Sequence, residues 1–196
     1  MRARTGLVLD ASVWINILAT GFAKEILGSF EDPPTVVDVT ANEVRRHPLE
    51  PATITQPLEQ LIADGLMSRH VLDDAAYATF VSLVGAAPPD DLGDGEAATL
   101  SFAQQSERAA AIDERKARRI AAEQFPEMEV VSTVSLLRSE AVGHALGDRL
   151  PDAVFSALSI ARMRVLKIDA PWIVDCVGLE RARSCRSVAR WMLPAG

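Results

Sequence analysis

Strand-length apolar runs alternating with helix-forming stretches predict an α/β fold: three α/β/α layers around a mainly parallel central sheet, with helices on both faces. Three observations support this. Leu7 to Leu9 and Ala109 to Ile112 are uniformly apolar, and Thr35 to Val39 is rich in β-branched residues, as strands buried on both faces require. Helix-favouring segments with capping or acidic residues at their starts follow these runs. The 196 residues are 48% hydrophobic with a mean hydropathy of +0.11, enough for a real core and unlike a disordered chain.

In order, Leu7-Val8-Leu9 ends in Asp10, and Ser12 is placed to cap a helix running to about Thr20. A second helix is expected from Phe22 to Phe30, broken by Glu31-Asp32-Pro33-Pro34. After the strand Thr35 to Val39, residues Thr40 to His47 read as a helix with Glu43 in its first turn, ended by Pro48. Leu58 to Asp64 reads as a short helix and Leu66 to Leu72 as a short strand. Asp73 to Val84 follows as a helix with Asp73 or Asp74 at its start, and Ala86 to Asp91 is a loop. Asp94 can cap the alanine-rich helix to Gln105, which places Glu96 in its first turn. Asp113 ends the strand Ala109 to Ile112 and precedes a helix from Glu114 to Gln124. Glu129 to Ser132 is a further strand, and Thr133 starts a helix over Val134 to Leu146. Gly147 to Pro151 is a turn, Asp152 to Met163 another helix, and Asp169 to Gly196 an extra helix after Pro171 with a basic end at Arg181, Arg183, Arg186 and Arg190.

The net charge of −7 excludes a protein that coats nucleic acid by bulk electrostatics; a local basic patch or a bound metal would be needed instead. Cys176 and Cys185 are nine residues apart, on opposite sides if helical, so no bridge is expected and a reducing compartment fits. Arg2 and Arg4 before an apolar run faintly imitate a signal peptide, but Asp10 and Asn16 interrupt it and no membrane span follows. The expectation is a cytoplasmic protein with no membrane partner. His47, His70 and His144 have no ligand spacing, which disfavours zinc, and Trp14, Trp172 and Trp191 are expected to pack rather than stack on bases.

Four carboxylates, Asp10, Glu43, Glu96 and Asp113, fall at strand ends or at the helix starts beside them. In an open α/β sheet such positions gather at the carboxyl edge, where ligands bind. Crowded carboxylates repel, and a hard divalent cation, Mg²⁺ or Mn²⁺, relieves that repulsion. A metal held there supports phosphodiester hydrolysis. Asp94 competes with Glu96 for the third position, although it suits a cap better; Glu114 is the second choice beside Asp113. Arg115, Lys116, Arg118 and Arg119 can hold substrate phosphates, but adjacent helical positions point apart, so at least two are expected as solvated, charge-paired residues. Arg45 and Arg46 form a smaller version of the same pattern. Other phosphate chemistries fit less well. A haloacid-dehalogenase-type phosphatase needs an Asp where Ser12 stands, a receiver domain needs an acidic pair where Asp10 is alone, and no phosphate-binding loop is present.

Leu7-Val8-Leu9-Asp10-Ala11-Ser12, Thr40-Ala41-Asn42-Glu43, Gly93-Asp94-Gly95-Glu96 and Ile112-Asp113-Glu114-Arg115-Lys116-Ala117-Arg118-Arg119, in this order, resemble the PIN domain, over roughly residues 5 to 163. The resemblance implies a PIN-like nuclease domain over residues 1–165, with 166–196 a C-terminal helical extension packed on it. It implies a Mg²⁺- or Mn²⁺-dependent ribonuclease whose metal-binding acids are Asp10, Glu43, Glu96 and Asp113, with Ser12 a polar helper. RNA is the implied substrate. Many PIN domains are toxins of toxin–antitoxin pairs, so an antitoxin protein and a homodimer are further partners in view. The competing reading is a PIN-like protein that binds RNA or a protein without cutting.

Overall fold

The computed structural model describes residues 6–46 and 58–192; for Arg45 and Arg46 it describes the backbone only. Arg2, Arg4, His47 and Pro48 lie outside the described residues. Five strands form one all-parallel sheet: β1 (Leu7–Leu9), β2 (Thr35–Val37), β3 (Ser68–His70), β4 (Ala109–Ala111) and β5 (Val130–Val131), in the order β3-β2-β1-β4-β5. The central pair is in register over its full length, Leu7 with Ala109, Val8 with Ala110 and Leu9 with Ala111.

Helices α1 (Ala11–Ala19) and α2 (Ala23–Leu27) connect β1 to β2, and α3 (Asp38–Arg46) and α4 (Leu58–Ala63) lie between β2 and β3. Helices α5 (Asp74–Val84) and α6 (Asp94–Gln105) carry the chain back to β4, and α7 (Arg115–Gln124) links β4 to β5. After β5 come α8 (Thr133–Leu137), α9 (Glu140–Leu146), α10 (Leu150–Ser159), α11 (Ala170–Val177), α12 (Leu179–Ser184) and α13 (Arg186–Met192).

The two-residue period of the strands divides the core. Leu7, Leu9, Ala109 and Ala111 face one apolar cluster, which holds α1 to α4 and the helices after β5. Val8, Val37, Ala110 and Ile112 face the other, with α5, α6 and α7. The fold is therefore three-layer α/β/α, as expected. Small residues close the second layer: Ala97, Ala98 and Ala103 of α6 and Ala117 and Ala121 of α7 share this cluster with Ala110 of β4, where a larger side chain would push helix from sheet. The apolar residues of 170–192 are not a separate core; Ile173, Val177, Ala182 and Val188 join the cluster that contains Leu9 and Trp14. Both cysteines are free thiols, Cys185 within this core. Among the described residues no helix is long and apolar enough to cross a membrane.

Several element boundaries depart from the sequence reading. The cap of α1 is Asp10, not Ser12: the Asp10 carboxylate accepts the Ser12 N–H. Strand β2 stops at Val37 and α3 starts at Asp38, so Glu43 lies in the second helical turn. The β-branched run continues into the helix, and Asp38 in its first turn marks the change. Gly93 is the N-cap of α6, with Asp94 already helical. The helix expected over Val134 to Leu146 is two, because the Ser139 hydroxyl accepts the Val142 N–H and restarts it as α9. Helix α10 ends at Ser159 rather than Met163: Arg162 takes a left-handed φ of 55°, and the Met163 N–H closes onto the Ala157 carbonyl at 3.1 Å. The tail is three short helices, interrupted at Gly178 (φ 85°) and at the extended Cys185.

Candidate active site

The chain builds outward from β1 to β3 and then returns to the other side of β1 for β4 and β5, so the switch point of the sheet lies between β1 and β4. The connections leave in opposite directions there and open a crevice at the carboxyl ends of the strands. Asp10 follows β1 directly, its N–H donating to the Ala111 carbonyl at 3.0 Å, and Asp113 stands two residues after β4. A cavity of about 500 Å³ opens there, and Asp10, Glu43, Glu96 and Asp113 all line it, with Ser12 and Glu114.

The four acids are held differently. Asp113, 5% exposed, accepts three hydrogen bonds: Thr133 N–H at 2.8 Å to Oδ1, Thr133 Oγ1 at 2.5 Å to Oδ2, and Asn16 Nδ2 at 2.8 Å to Oδ2. Asn16 also donates to Thr133 Oγ1 at 3.1 Å, which closes a buried triangle between α1, the end of β4 and the start of α8. Asp10, 4% exposed, accepts the Ser12 hydroxyl at 2.6 Å and the Ser12 N–H at 3.2 Å through Oδ2. Glu43 reaches across from α3, and its Oε1 accepts the Gly95 N–H at 3.0 Å. That approach requires glycine: a Cβ on residue 95 would lie 2.2 Å from Glu43 Oε2. Glu96 turns back along its own helix, its Oε2 accepting the Gly93 N–H at 3.2 Å.

All four carboxyls are pushed above the ordinary carboxylate range, in each case first by burial of the head group away from water. For Glu43, whose side chain is otherwise exposed, the desolvated part is the head packed on Gly95. Mutual repulsion adds to this. The Asp10 charge raises Glu43, Glu96 and Asp113, and Glu114 raises Asp10 and Glu96. Hydrogen bonds to the charged forms work in the opposite direction without overturning the rise.

Of the second-choice acids, Asp94 is exposed and outside the cavity, although its charge adds to the rise at Glu43. Glu114 lines the cavity but is taken up by Arg164, at 2.9 and 2.7 Å. The expected phosphate-holding cations are elsewhere. Arg115 and Arg118 line a separate cavity with Arg119, and Arg118 donates to the Ile112 carbonyl at 3.0 Å. Lys116 faces Asp91 at 3.6 Å, and Arg119 pairs with Asp90 and Glu123. Helix α7 rises away from the strand end, so closeness to Asp113 in sequence does not keep these side chains at its carboxylate. The cations on the acid cavity are Arg162 and Arg164 from the segment after α10. Sequence reasoning missed them, as it missed the site roles of Asn16 and Thr133. A polar residue inside the apolar face of α1 was the available signal for Asn16.

An all-oxygen donor set suits Mg²⁺ or Mn²⁺. The placement of the side chains does not yet make a ligand shell: among the described residues no three His, Cys, Asp or Glu side chains are placed to hold one metal ion. Glu43 and Glu96 are turned onto backbone amides, and Asp113 has one oxygen doubly engaged. Comparison with protein-family models, with curated proteins and with solved structures gives no significant match.

Proposed function

We propose that this chain is a divalent-metal-dependent endoribonuclease of the PIN kind that its four motifs resemble. One observation carries the reading: four carboxylates scattered along the sequence line a single cavity at the switch point, every one displaced toward its neutral form first by burial and then by a neighbouring carboxylate charge. Such a site is electrostatically incomplete and is relieved by a cation.

Mg²⁺ or Mn²⁺ would be held by Asp10 and Asp113 with Glu43 and Glu96, the two glutamates leaving the amides of Gly95 and Gly93; when bound it supplies an activated water and neutralises phosphodiester charge. The chain's own contribution is positioning. Asn16 and Thr133 fix Asp113, and Ser12 fixes Asp10, so these two carboxylates present a defined orientation to the cavity. Arg162 on the rim offers a charge for a phosphate, whereas Arg164 holds Glu114 aside. A toxin role with an antitoxin partner, homodimer formation and a cytoplasmic location extend the same proposal.

The test is cleavage of an RNA oligonucleotide with added Mn²⁺ by the wild type and by Asp10→Asn, together with melting temperatures. Metal-dependent cleavage that Asp10→Asn abolishes, and a rise in Tm with millimolar Mn²⁺ in the wild type only, are expected. The second reading, an RNA- or protein-binding PIN-like domain that does not cut, is favoured by the absence of a ready ligand triplet among the described residues. It predicts no cleavage and no metal-dependent change in Tm.

A further inference from the structure

A basic cleft adjoins the acid cavity. It has a volume of about 700 Å³ and is lined by Arg162, Arg186 and Arg190 with the hydroxyl residues Ser159, Ser184 and Ser187, and no carboxylate lines it. Arg162 belongs to both cavities.

In a chain of net charge −7, three guanidinium groups line this cleft without an acid; Arg115, Arg118 and Arg119 line a second such cavity, but that one shares no residue with the acid cavity. Arg119, Arg149, Arg164 and Arg181 all have carboxylate partners, whereas Arg162 and Arg186 have none among the described residues. Arg190 is fixed in place: its Nη2 donates to the Val165 carbonyl at 3.0 Å and its guanidinium lies over the Trp191 ring. The same carbonyl takes the Trp191 Nε1–H at 2.9 Å, so α13 is pinned beside the cleft. Two of the hydroxyls are committed, Ser159 donating to Phe155 O and Ser184 to Arg181 O. The Ser187 hydroxyl is buried with no hydrogen-bond partner among the described residues, an unspent donor in the cleft wall. Arg162 adds a backbone observation. At φ 55°, just past the end of α10, it occupies a conformation that favours glycine.

Resting on the nuclease reading above, we propose that this cleft binds the phosphates of the RNA strand beside the linkage to be cut, which makes the C-terminal helices the substrate-holding arm of the molecule. Four carboxylates repel a polyanion, so affinity for RNA must come from a neighbouring basic surface, and the cleft that shares Arg162 is that neighbour. Guanidinium groups and a free hydroxyl donor are the groups that bind phosphate oxygens. An acidic protein segment is the competing occupant; continuity with the acid cavity favours the nucleic acid.

The experiment measures binding of a fluorescently labelled single-stranded oligouridine RNA to the full chain by anisotropy, in EDTA so that no cutting intervenes, over a NaCl series. Arg186→Ala and Arg162→Gly should each weaken binding several-fold and flatten the slope of log K against log salt by about 0.7. Arg162→Gly should hold or raise the Tm, since glycine accepts the left-handed backbone, which separates lost binding from lost folding. Arg149→Ala, a cation paired with Glu25 away from the cleft, should bind as wild type. Wild-type affinity and slope in both cleft variants would overturn the proposal, as would displacement of the RNA by polyglutamate at equal charge concentration. RNA binding that depends on the cleft, in a protein that never cuts with Mn²⁺, would leave the cleft standing and remove the nuclease reading; cutting with unchanged binding in the cleft variants would do the reverse.

Discussion

Asp10 directly follows β1 and Asp113 stands one residue further past the end of β4, and the two should respond differently to the same substitution. Asp10 uses one oxygen for Ser12, so asparagine can keep that bond and turn its amide toward the cavity. Asp10→Asn should therefore keep the fold, with a Tm equal to or above the wild type because one repelling charge has gone, while cleavage is lost. Asp113 accepts donors on both oxygens, and asparagine would set an NH₂ group against at least one of them. Asp113→Asn should cost about 1–3 kcal/mol, measured by urea unfolding, so its loss of activity would mix folding with chemistry. The sign of the pH dependence follows from the raised carboxyls. An acid whose folded pKa lies above its unfolded value binds more protons in the native state through the interval between the two. Its destabilising effect is absent below the unfolded value and complete above the folded one. In metal-free protein, stability from Asp10, Glu43, Glu96 and Asp113 should therefore fall as pH rises from the ordinary values of 3.8 and 4.5 toward neutrality. The Tm of the wild type relative to Asp10→Asn, followed in EDTA across that range, should move against the wild type; a constant difference would contradict the repulsion described here.

At the scale of the element, the site depends on how closely α3 and the start of α6 approach. Gly95 is buried in the first turn of α6, where glycine-to-alanine changes in helices ordinarily gain about 0.5–1 kcal/mol. Here the added methyl would displace the Glu43 carboxylate. Gly95→Ala is expected to lower cleavage by at least about tenfold, roughly 1.4 kcal/mol in the barrier, with little change in Tm because the end of a flexible side chain can yield. A strong fall in Tm with unchanged turnover would contradict that account. The sequence had marked the Gly-Asp-Gly-Glu start of α6 and its glutamate. It had not shown that Gly95 makes room for an acid from another helix, since the contact joins residues 52 positions apart. The four cations after Asp113 show the opposite case: conspicuous in sequence, they are carried by α7 to charge partners and to another cavity.

For the whole molecule, residues 166–192 complete the core that supports β1. Ile173 and Val188 are fully buried, and Val177 nearly so, in the cluster that contains Leu9 and Trp14, which the tail joins by packing α11 on α10. Each such side chain contributes about 1.5–3 kcal/mol of burial, so removing residues 166–196 should cost several kcal/mol, a large share of a typical folding margin of about 5–15 kcal/mol. The truncated chain is expected to lose its cooperative thermal transition by circular dichroism; a transition at the wild-type Tm would show that the tail is dispensable. The helices that finish the core also line the basic cleft beside the acids, so stability and the proposed holding of RNA would share one segment.

Local chemistry in the sequence determined the strands, most of the helices and the three-layer class, and marked the four acids that line one cavity, because apolar period, caps and strand-terminal carboxylates are short-range signals. Only the tertiary structure decided that Asn16 and Thr133 hold Asp113, and that Arg162 and Arg164 are the cations at the acid cavity. It also decided that the tail is part of the core. Those contacts join residues distant along the chain, and their existence depends on strand order and on where each helix ends, which no local pattern of residues fixes.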